Sequence, residues 1–413
     1  MAQKTQQTDI VILGGGIIGC TTAYYLSRHP LYNSETTKIT VLEASASGVA
    51  QGASGKAGGL VAKWAYPVEL VDISFPEHIR LAQEHNGVDR WGFRFVECGT
   101  WEGVGEDLQR DAGSGVGKGG IRKSLEKTVG LERVTHTERL NKRHPEGLNW
   151  IKQELTISYA PMDPTTGLEG TAQVHPYLFT TSMMELATEK GVKLRRGSAT
   201  RIGIESGRVT GVLCKDATDG QEKFIPATHV ILAAGAWSPF LLPSLPISAT
   251  RAHSITFRPK AGVDIAPYVL FTDIKLPQGL HASPEIYARP DNEVYACGPG
   301  DDSKLPGNVD EVEVDQTACE SIREQVVSIS PELREGTVEK RQACFLPIVS
   351  QRGAGGPIVG EAKTVAKGLY VATGHTCWGI CNAPGTAKVM AELVLNSKAL
   401  PRKLKRLEPS YFL

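Results

Sequence analysis

"DIVILGGGIIGCTTAYYLSR", Asp9 to Arg28, decides how the chain begins to fold. Ile10 to Leu13 is a short, largely β-branched apolar run of the kind that a strand buried on both faces needs. Gly14, Gly16 and Gly19 follow it in G-x-G-x-x-G spacing, and from Ile17 and Ile18 to Ser27 the pattern predicts a helix. Gly14 permits a tight turn, Gly16 lets a pyrophosphate approach the backbone, and Gly19 lets the helix pack closely on the strand, while the helix N-terminus faces the phosphates. A second strand, "KITVLE" (Lys38 to Glu43), ends in a carboxylate, the acceptor pair that ribose hydroxyls require. It arrives a few residues later than usual because the polar loop Arg28 to Thr37 intervenes. Strand, turn, helix, strand and acid in this order predict a dinucleotide site. Whether the dinucleotide carries nicotinamide or flavin is left open by the motif alone.

The totals bound the rest. A chain of 413 residues exceeds the size at which one hydrophobic core stops growing, so two domains are expected. Lysine plus arginine equals aspartate plus glutamate at 45 each, which gives neither nucleic acid nor an anionic membrane a reason to be the main partner. A small-molecule substrate is expected instead. The 8 cysteines are scattered, with no C-x-x-C pair and no metal-ligand spacing, so no metal site is expected and a reducing, cytoplasmic compartment is the simpler reading. The start, "MAQKTQQTD", lacks the apolar stretch of a signal peptide, and no later run is apolar and long enough for an integral membrane segment. "AGSGVGKGG" (Ala112 to Gly120) imitates a phosphate-binding P-loop, but Ala112 opens it and Gly119 stands where Ser or Thr is required, so it is expected to be a surface loop.

Further along, "SGVAQGASGKAGGLVAKW" (Ser47 to Trp64) holds mostly small residues until Leu60, which suits backbone laid against a ligand. Trp91 to Gly103 reads as strands. His175 to Leu194 reads as a helix stopped by Gly191 and then a strand, and Arg201 to Cys214 reads as a hairpin about Ser206-Gly207. "HVILAAGAWSPF" (His229 to Phe240) is a second buried strand ending at glycine. Arg251 to Pro259 and Glu285 to Gly298 alternate like antiparallel strands, with a turn at Asp291-Asn292. Gly368 to Leu395 reads as strand, glycine-rich loop and helix, with the helix beginning near Pro384-Gly385.

Taken together, the turn with Glu43, "GASGKAGGL" (Gly52 to Leu60), "VILAAGAWS" (Val230 to Ser238) and "GLYVATGHTCWGICNAPGTAK" (Gly368 to Lys388) resemble, in the same order, the D-amino-acid oxidase-like family of FAD-dependent oxidoreductases, which includes glycine and sarcosine oxidases. The resemblance covers nearly the whole chain. It implies an α/β fold: a discontinuous Rossmann-like FAD-binding domain (1-90, 160-245 and 345-413) and a substrate domain on a mainly antiparallel sheet (91-159 and 246-344). It implies FAD, with the first motif on the pyrophosphate and Glu43 on the adenosine ribose. Ser54, Gly55, Lys56, Gly59 and Leu60 would run along the pyrophosphate and flavin, joined by Ala234, Gly235 and Trp237. The loop Gly374 to Ile380, including His375, Trp378 and Gly379, would lie beside the isoalloxazine. His375, Trp378 and Arg289 are the candidate catalytic residues. The expected chemistry is oxidation of a C–N bond by hydride transfer to the flavin. A glycine-rich turn after strands at both ends of the chain suits a long cofactor and disfavours a NAD-dependent dehydrogenase. The pattern is also similar to a fungal branch of the family with members linked to endosomes, which implies a cytoplasmic protein or one peripheral to endosomes and keeps a binding or trafficking role as the alternative. Oligomeric state is not legible in the sequence.

The chain departs from the family at one point that matters. Where amino-acid oxidases carry an arginine that clamps the substrate carboxylate, "QACFLP" (Gln342 to Pro347) places Leu346. Lys63, Arg251, Arg289 and Arg352 are the other cations in reach of consideration. Cys344 resembles the position at which sarcosine oxidase-type members attach flavin covalently; a small buried hydrophobe is the competing reading, and a non-covalent cofactor is expected. "VYACG" (Val294 to Gly298) lacks the lysine with which those members activate dioxygen.

Overall fold

The computed structural model describes residues 7–108, 144–163, 167–350 and 356–413. The P-loop-like segment at 112–120 and Arg352 lie outside the described residues.

The opening elements form where the pattern places them, as the strand Thr8–Leu13 and the helix Ile17–Ser27. The strand pairs in parallel with Thr37–Glu43 on one side and His229–Leu232 on the other. Its residues feed two cores alternately, Ile10 and Ile12 entering one and Val11 and Leu13 the other. Burial on both faces is why the run is continuously apolar. The sheet has 8 strands among the described residues, in the order Glu222–Pro226, Arg208–Asp216, Lys193–Glu205, Thr37–Glu43, Thr8–Leu13, His229–Leu232, Leu369–Thr373 and Ile358–Glu361. Lys193–Glu205 through Leu369–Thr373 run parallel, and the outer strands are antiparallel. Ser206 and Gly207, at φ 48° and 71°, make the expected hairpin turn. The helices Ile17–Ser27, Pro176–Thr188 and Gly379–Asn396 pack together on one face.

The second sheet is mainly antiparallel: Thr337–Val349, Ile247–Arg258, Val294–Cys297, Glu285–Ala288, Tyr268–Lys275, Glu97–Val104 and Thr156–Pro161. Glu285–Ala288 and Val294–Cys297 form the expected hairpin, with Asp291 and Asn292 both at φ 59°. Its alternation sorts side chains cleanly. Ile286, Ala288, Val294 and Ala296 enter the core behind the sheet, whereas Tyr287, Tyr295 and Cys297 join the core that Ile10 and Ile12 enter. The strands Thr156–Pro161 and Thr337–Val349 run without interruption through positions 160 and 345.

Two elements differ from the sequence reading. Trp91 closes a helical turn, Gly87–Trp91, rather than opening a strand; its fully buried ring packs on Phe179 at 5.4 Å, and that packing overrides the local pattern. The last helix begins at Gly379, not near Pro384-Gly385, and contains Pro384. Proline removes the N–H that would bond the carbonyl of Ile380. His78 Nε2 donates to the carbonyls of Ile380 and Cys381 instead, each at 3.1 Å, and the Gly385 N–H donates to Ser74 Oγ at 2.9 Å. Ser74 and His78 both lie on the helix Val68–Glu84, which thus supplies from outside the bonds that proline takes away.

Candidate active site

The turn after the first strand is as tight as its glycines allow. Gly14 sits at φ 109°, and a Cβ on Gly19 would lie 2.0 Å from the Gly14 carbonyl oxygen, so any larger residue would push the helix off the strand. Gly16 caps the helix without a side-chain bond, and no acid occupies the first turn. The positive end of the helix is therefore open to an anion. Ser54 reaches this end from the small-residue segment, its Oγ accepting the Ile17 N–H at 2.9 Å. Glu43 ends its strand beside the turn. One carboxylate oxygen accepts the Gly15 N–H at 2.6 Å and the other the Ser45 N–H at 2.7 Å, and burial raises its pKa. Each oxygen keeps a second lone pair for a hydroxyl.

From this turn a cavity of about 760 Å³ runs beneath the second sheet. Its lining includes Glu43, Ala44, Gly197 to Ala199 and Gly307 to Val309, and also Trp64, Phe271, Tyr287 and Trp378. Volume, a mostly apolar lining and a helix N-terminus on its wall fit a dinucleotide. Of the expected cofactor residues, Gly14, Gly16, Ile17, Ile18, Glu43, Ser54, Lys56, Gly59, Leu60, Ala234, Gly235, Trp237, Gly374, His375, Trp378, Gly379 and Ile380 line it. Gly19 and Gly55 are not among its lining; each packs against a backbone carbonyl, Gly14 and Ala50 respectively. Because the last helix starts at Gly379, its own N-terminal residues Gly379 and Ile380 reach the cavity, whereas Pro384 and Gly385 do not line it.

The wall beside the Gly374 to Ile380 loop is aromatic. Trp378 meets Trp64 edge to face at 5.6 Å, and Trp64 meets Phe271 at 6.0 Å. His375 is buried, with Nε2 and Thr386 Oγ1 3.0 Å apart. Burial pulls its pKa down to about 3, so the ring is neutral near pH 7. Arg289 is absent from the cavity lining. It is buried against Glu293 at 2.8 Å, lies 4.6 Å over the Tyr295 ring, and donates to the Ala57 carbonyl, acting on the cavity through the backbone of the small-residue segment. Arg251 binds Asp301, and Lys63 lies over the Phe75 ring at 5.2 Å. Neither lines the cavity.

The roof of the cavity is one face of the second sheet. Cross-strand pairs put Glu102 opposite Asp273, Phe271 opposite Glu285, Glu285 opposite Cys297, Tyr287 opposite Tyr295, and Ala252 opposite Cys344, all of them cavity-lining. Among the described residues that line the cavity, the carboxylates Glu102, Asp273 and Glu285 sit on this roof and no arginine does; Leu346 occupies the position considered for one. Lys56, the one lysine of the described lining, donates to the Ala343 carbonyl at 3.0 Å. Glu285 accepts from Tyr287 OH at 2.5 Å and from the Cys297 thiol at 3.8 Å. The Cys344 thiol lines the roof, and burial raises its pKa to about 11. The sequence reading missed the roof acids, Gly197 to Ala199 and Gly307 to Val309. The alternation of "EIYARPDNEVYACG" could have found Glu285, whereas nothing local marks the others.

The FAD dependent oxidoreductase (DAO) family profile matches residues 9–393. The chain is 30% identical to the candidate oxidoreductase TDA3 of Saccharomyces cerevisiae, over 98% of this chain and 94% of that one. It is 32% identical to the candidate oxidoreductase C1F5.03c of Schizosaccharomyces pombe, over 97% of each. The fold is similar to that of glycine oxidase from Bacillus cereus, with a TM-score of 0.67 at 18% identity, covering 95% of this chain and 96% of that one. No helix among the described residues is long and apolar enough to cross a membrane. A match that takes in the glycine turn, the acid-ended strand, both sheets and the closing helix makes this chain a member of the DAO family of FAD-dependent oxidoreductases, and it resolves the choice between nicotinamide and flavin toward FAD.

Proposed function

We propose that this protein oxidises a C–N bond of an amine substrate that carries positive charge and no free α-carboxylate, and that it holds FAD non-covalently. The observation that carries the reading is the roof: a face that covers the cavity with Glu102, Asp273 and Glu285 and puts Leu346 where an arginine would clamp a carboxylate. Burying a carboxylate without a cation is costly, and Glu285 on the wall repels it further, whereas Glu102 is paired with Lys275 at 2.8 Å and Asp273 lies 3.4 Å from His281.

In this reading residues 1-90, 160-245 and 345-413 hold the cofactor and 91-159 with 246-344 cover it. Bound FAD supplies the two-electron acceptor for a hydride from the carbon next to nitrogen. The helix start at Gly16 to Ile18 faces the pyrophosphate, and Glu43 accepts from the adenosine ribose. Trp64, Trp378 and Phe271 exclude water from the reacting carbon. Glu285, oriented by Tyr287, draws the substrate ammonium to the roof. His375 stays neutral and bonded to Thr386, so it fixes the loop rather than taking up a proton. Once Glu285 has taken one proton from the ammonium, loss of the hydride from the neutral amine leaves an iminium, which water hydrolyses to a carbonyl compound and an amine. The high Cys344 pKa keeps its sulfur as a thiol, a poor nucleophile toward the flavin ring. Among the described residues the 8 cysteines form no disulfide and 7 of them are buried, which suits a reducing compartment such as the cytoplasm.

The test is anaerobic stopped-flow mixing of oxidised holoprotein with free amino acids, N-methyl amino acids and carboxylate-free amines. Bleaching of the flavin by the amines alone is the expected result. In a dry pocket the missing charge-assisted pair is worth on the order of 2–5 kcal/mol, so free amino acids should react slower by at least about 30-fold. Rapid reduction by an ordinary amino acid, lost in Arg352→Ala, would mean that the clamp has moved. Bleaching by none of the compounds would favour a binding role.

A further inference from the structure

The strand Val294–Cys297 and the helix Gln316–Val327 both belong to the roof side, yet the chain between them reaches Trp237 and Ser45 on the cofactor side. Its base is gathered by one side chain. Arg251 Nε lies 3.2 Å from both carboxylate oxygens of Asp301, and Arg251 Nη1 donates to the Glu313 carbonyl at 3.2 Å. The backbones of Arg251 and Asp301 also bond each other in both directions, at 3.0 and 2.8 Å. Asp301 and Glu313 are thereby held at one point, and the residues between them form an Ω-loop.

The tip of that loop is anchored on the cofactor side. The indole N–H of Trp237 donates to the Pro306 carbonyl at 2.8 Å. The Asp310 carboxylate accepts from the Ser45 hydroxyl at 2.5 Å and from the Ala46 N–H at 2.8 Å, two and three positions beyond Glu43. Between these anchors Gly307, Asn308 and Val309 line the cavity beside Glu43 and Ala44. Trp237 and Ser45 follow the carboxyl ends of strands on opposite sides of the opening strand, so the loop spans the carboxyl end of that strand from one to the other.

We propose that residues 301–313 are a clasp over the adenosine end of the FAD site, and that this segment of the roof side sets how fast FAD enters and leaves. The inference rests on the reading of the glycine turn and Glu43 as the adenosine diphosphate site. A cofactor lying along the cavity with its adenosine beside Glu43 has the loop across its exit. It leaves only after the Asp310 and Pro306 anchors part, with the loop swinging on the base held by Arg251. The carboxylate of Asp310 makes the tip contact charge-assisted, and the anchors are independent of any group on the cofactor.

The experiment follows FAD release from purified holoprotein by the rise in free flavin fluorescence after dilution, alongside the melting temperature of the FAD-free protein. Asp310→Ala should release FAD at least 10-fold faster, and Asp301→Ala, at the base, should accelerate it in the same direction. Both should leave the melting temperature of the FAD-free protein within about 2 °C of wild type. The pair Ser45→Cys with Asp310→Cys, oxidised to a disulfide, should slow release at least 10-fold, with reductant restoring it. Release rates within twofold of wild type in Asp310→Ala, or unchanged release from the cross-linked protein, would overturn the clasp while leaving the FAD site intact. Acceleration matched by a comparable fall in the FAD-free melting temperature would assign the loop a structural role and also overturn it. A folded wild-type protein that takes up no FAD would instead sink the reading of the cavity on which the clasp depends.

Discussion

Replacing His78 by phenylalanine tests the account of the closing helix directly. The ring volume is nearly kept, and Phe179, 5.2 Å from the His78 ring, can pack against the new one. What disappears is the Nε2–H that serves the carbonyls of Ile380 and Cys381. A buried polar group left without its partner costs about 1–3 kcal/mol, and the two carbonyls share one donor, so the loss should be about 2–4 kcal/mol. Urea unfolding of the FAD-free protein reads it as a lower midpoint at an unchanged slope. His78→Gln, whose amide can donate, should recover roughly half. The pH dependence carries a second signature. Burial holds the folded His78 pKa at about 4, below the 6.5 of a free ring, so the unfolded chain takes up the proton first as the medium is acidified. Stability is whole above about pH 6.5 and is lost as pH falls from there through about 4, by on the order of 3 kcal/mol from this group. His375, held to about 3 by burial, adds a slope of the same sign. The phenylalanine variant should therefore have a shallower acid limb than wild type without losing it. A destabilisation under about 1 kcal/mol together with an unaltered acid limb would refute the claim that His78 completes the helix around Pro384.

Two further outcomes follow from the cavity. The wild-type protein should purify yellow with about one FAD per chain, and Gly16→Val, whose Cβ would already lie 3.0 Å from Ser54 Oγ, should fold with less than about a tenth of that content by absorbance; full flavin content in the folded variant would count against the site. Acid precipitation should leave the flavin in the supernatant for both wild type and Cys344→Ser, because burial keeps that thiol protonated; colour in the wild-type pellet alone would establish a covalent link.

The dinucleotide unit was legible because its causes are local. Gly14 needs its φ, Gly19 needs its missing side chain, and burial on both faces writes itself as an unbroken apolar run. The cations were not legible, because sequence displays a charge without its partner. Arg251 and Arg289 both looked free to meet a substrate, and both are committed to carboxylates and carbonyls. The start of the last helix was misread for the same reason: proline is a local signal for an end, and the compensating His78 Nε2 lies 302 positions from Ile380. The Asp310 anchor joins residues 264 positions apart, across a polar stretch whose composition fits any surface loop.

On the hairpin Glu285–Ala288 and Val294–Cys297 the choice of substrate and the stability of the fold occupy alternate letters. Glu285, Tyr287, Tyr295 and Cys297 can diverge under selection while Ile286, Ala288, Val294 and Ala296 go on filling the core behind them. Such a lineage can acquire new substrates by point substitution at odd-numbered sites without disturbing the core behind the sheet. A single-residue insertion in either strand would exchange the two sets and be lost to selection, so the history of this roof should be rich in substitutions and poor in length changes.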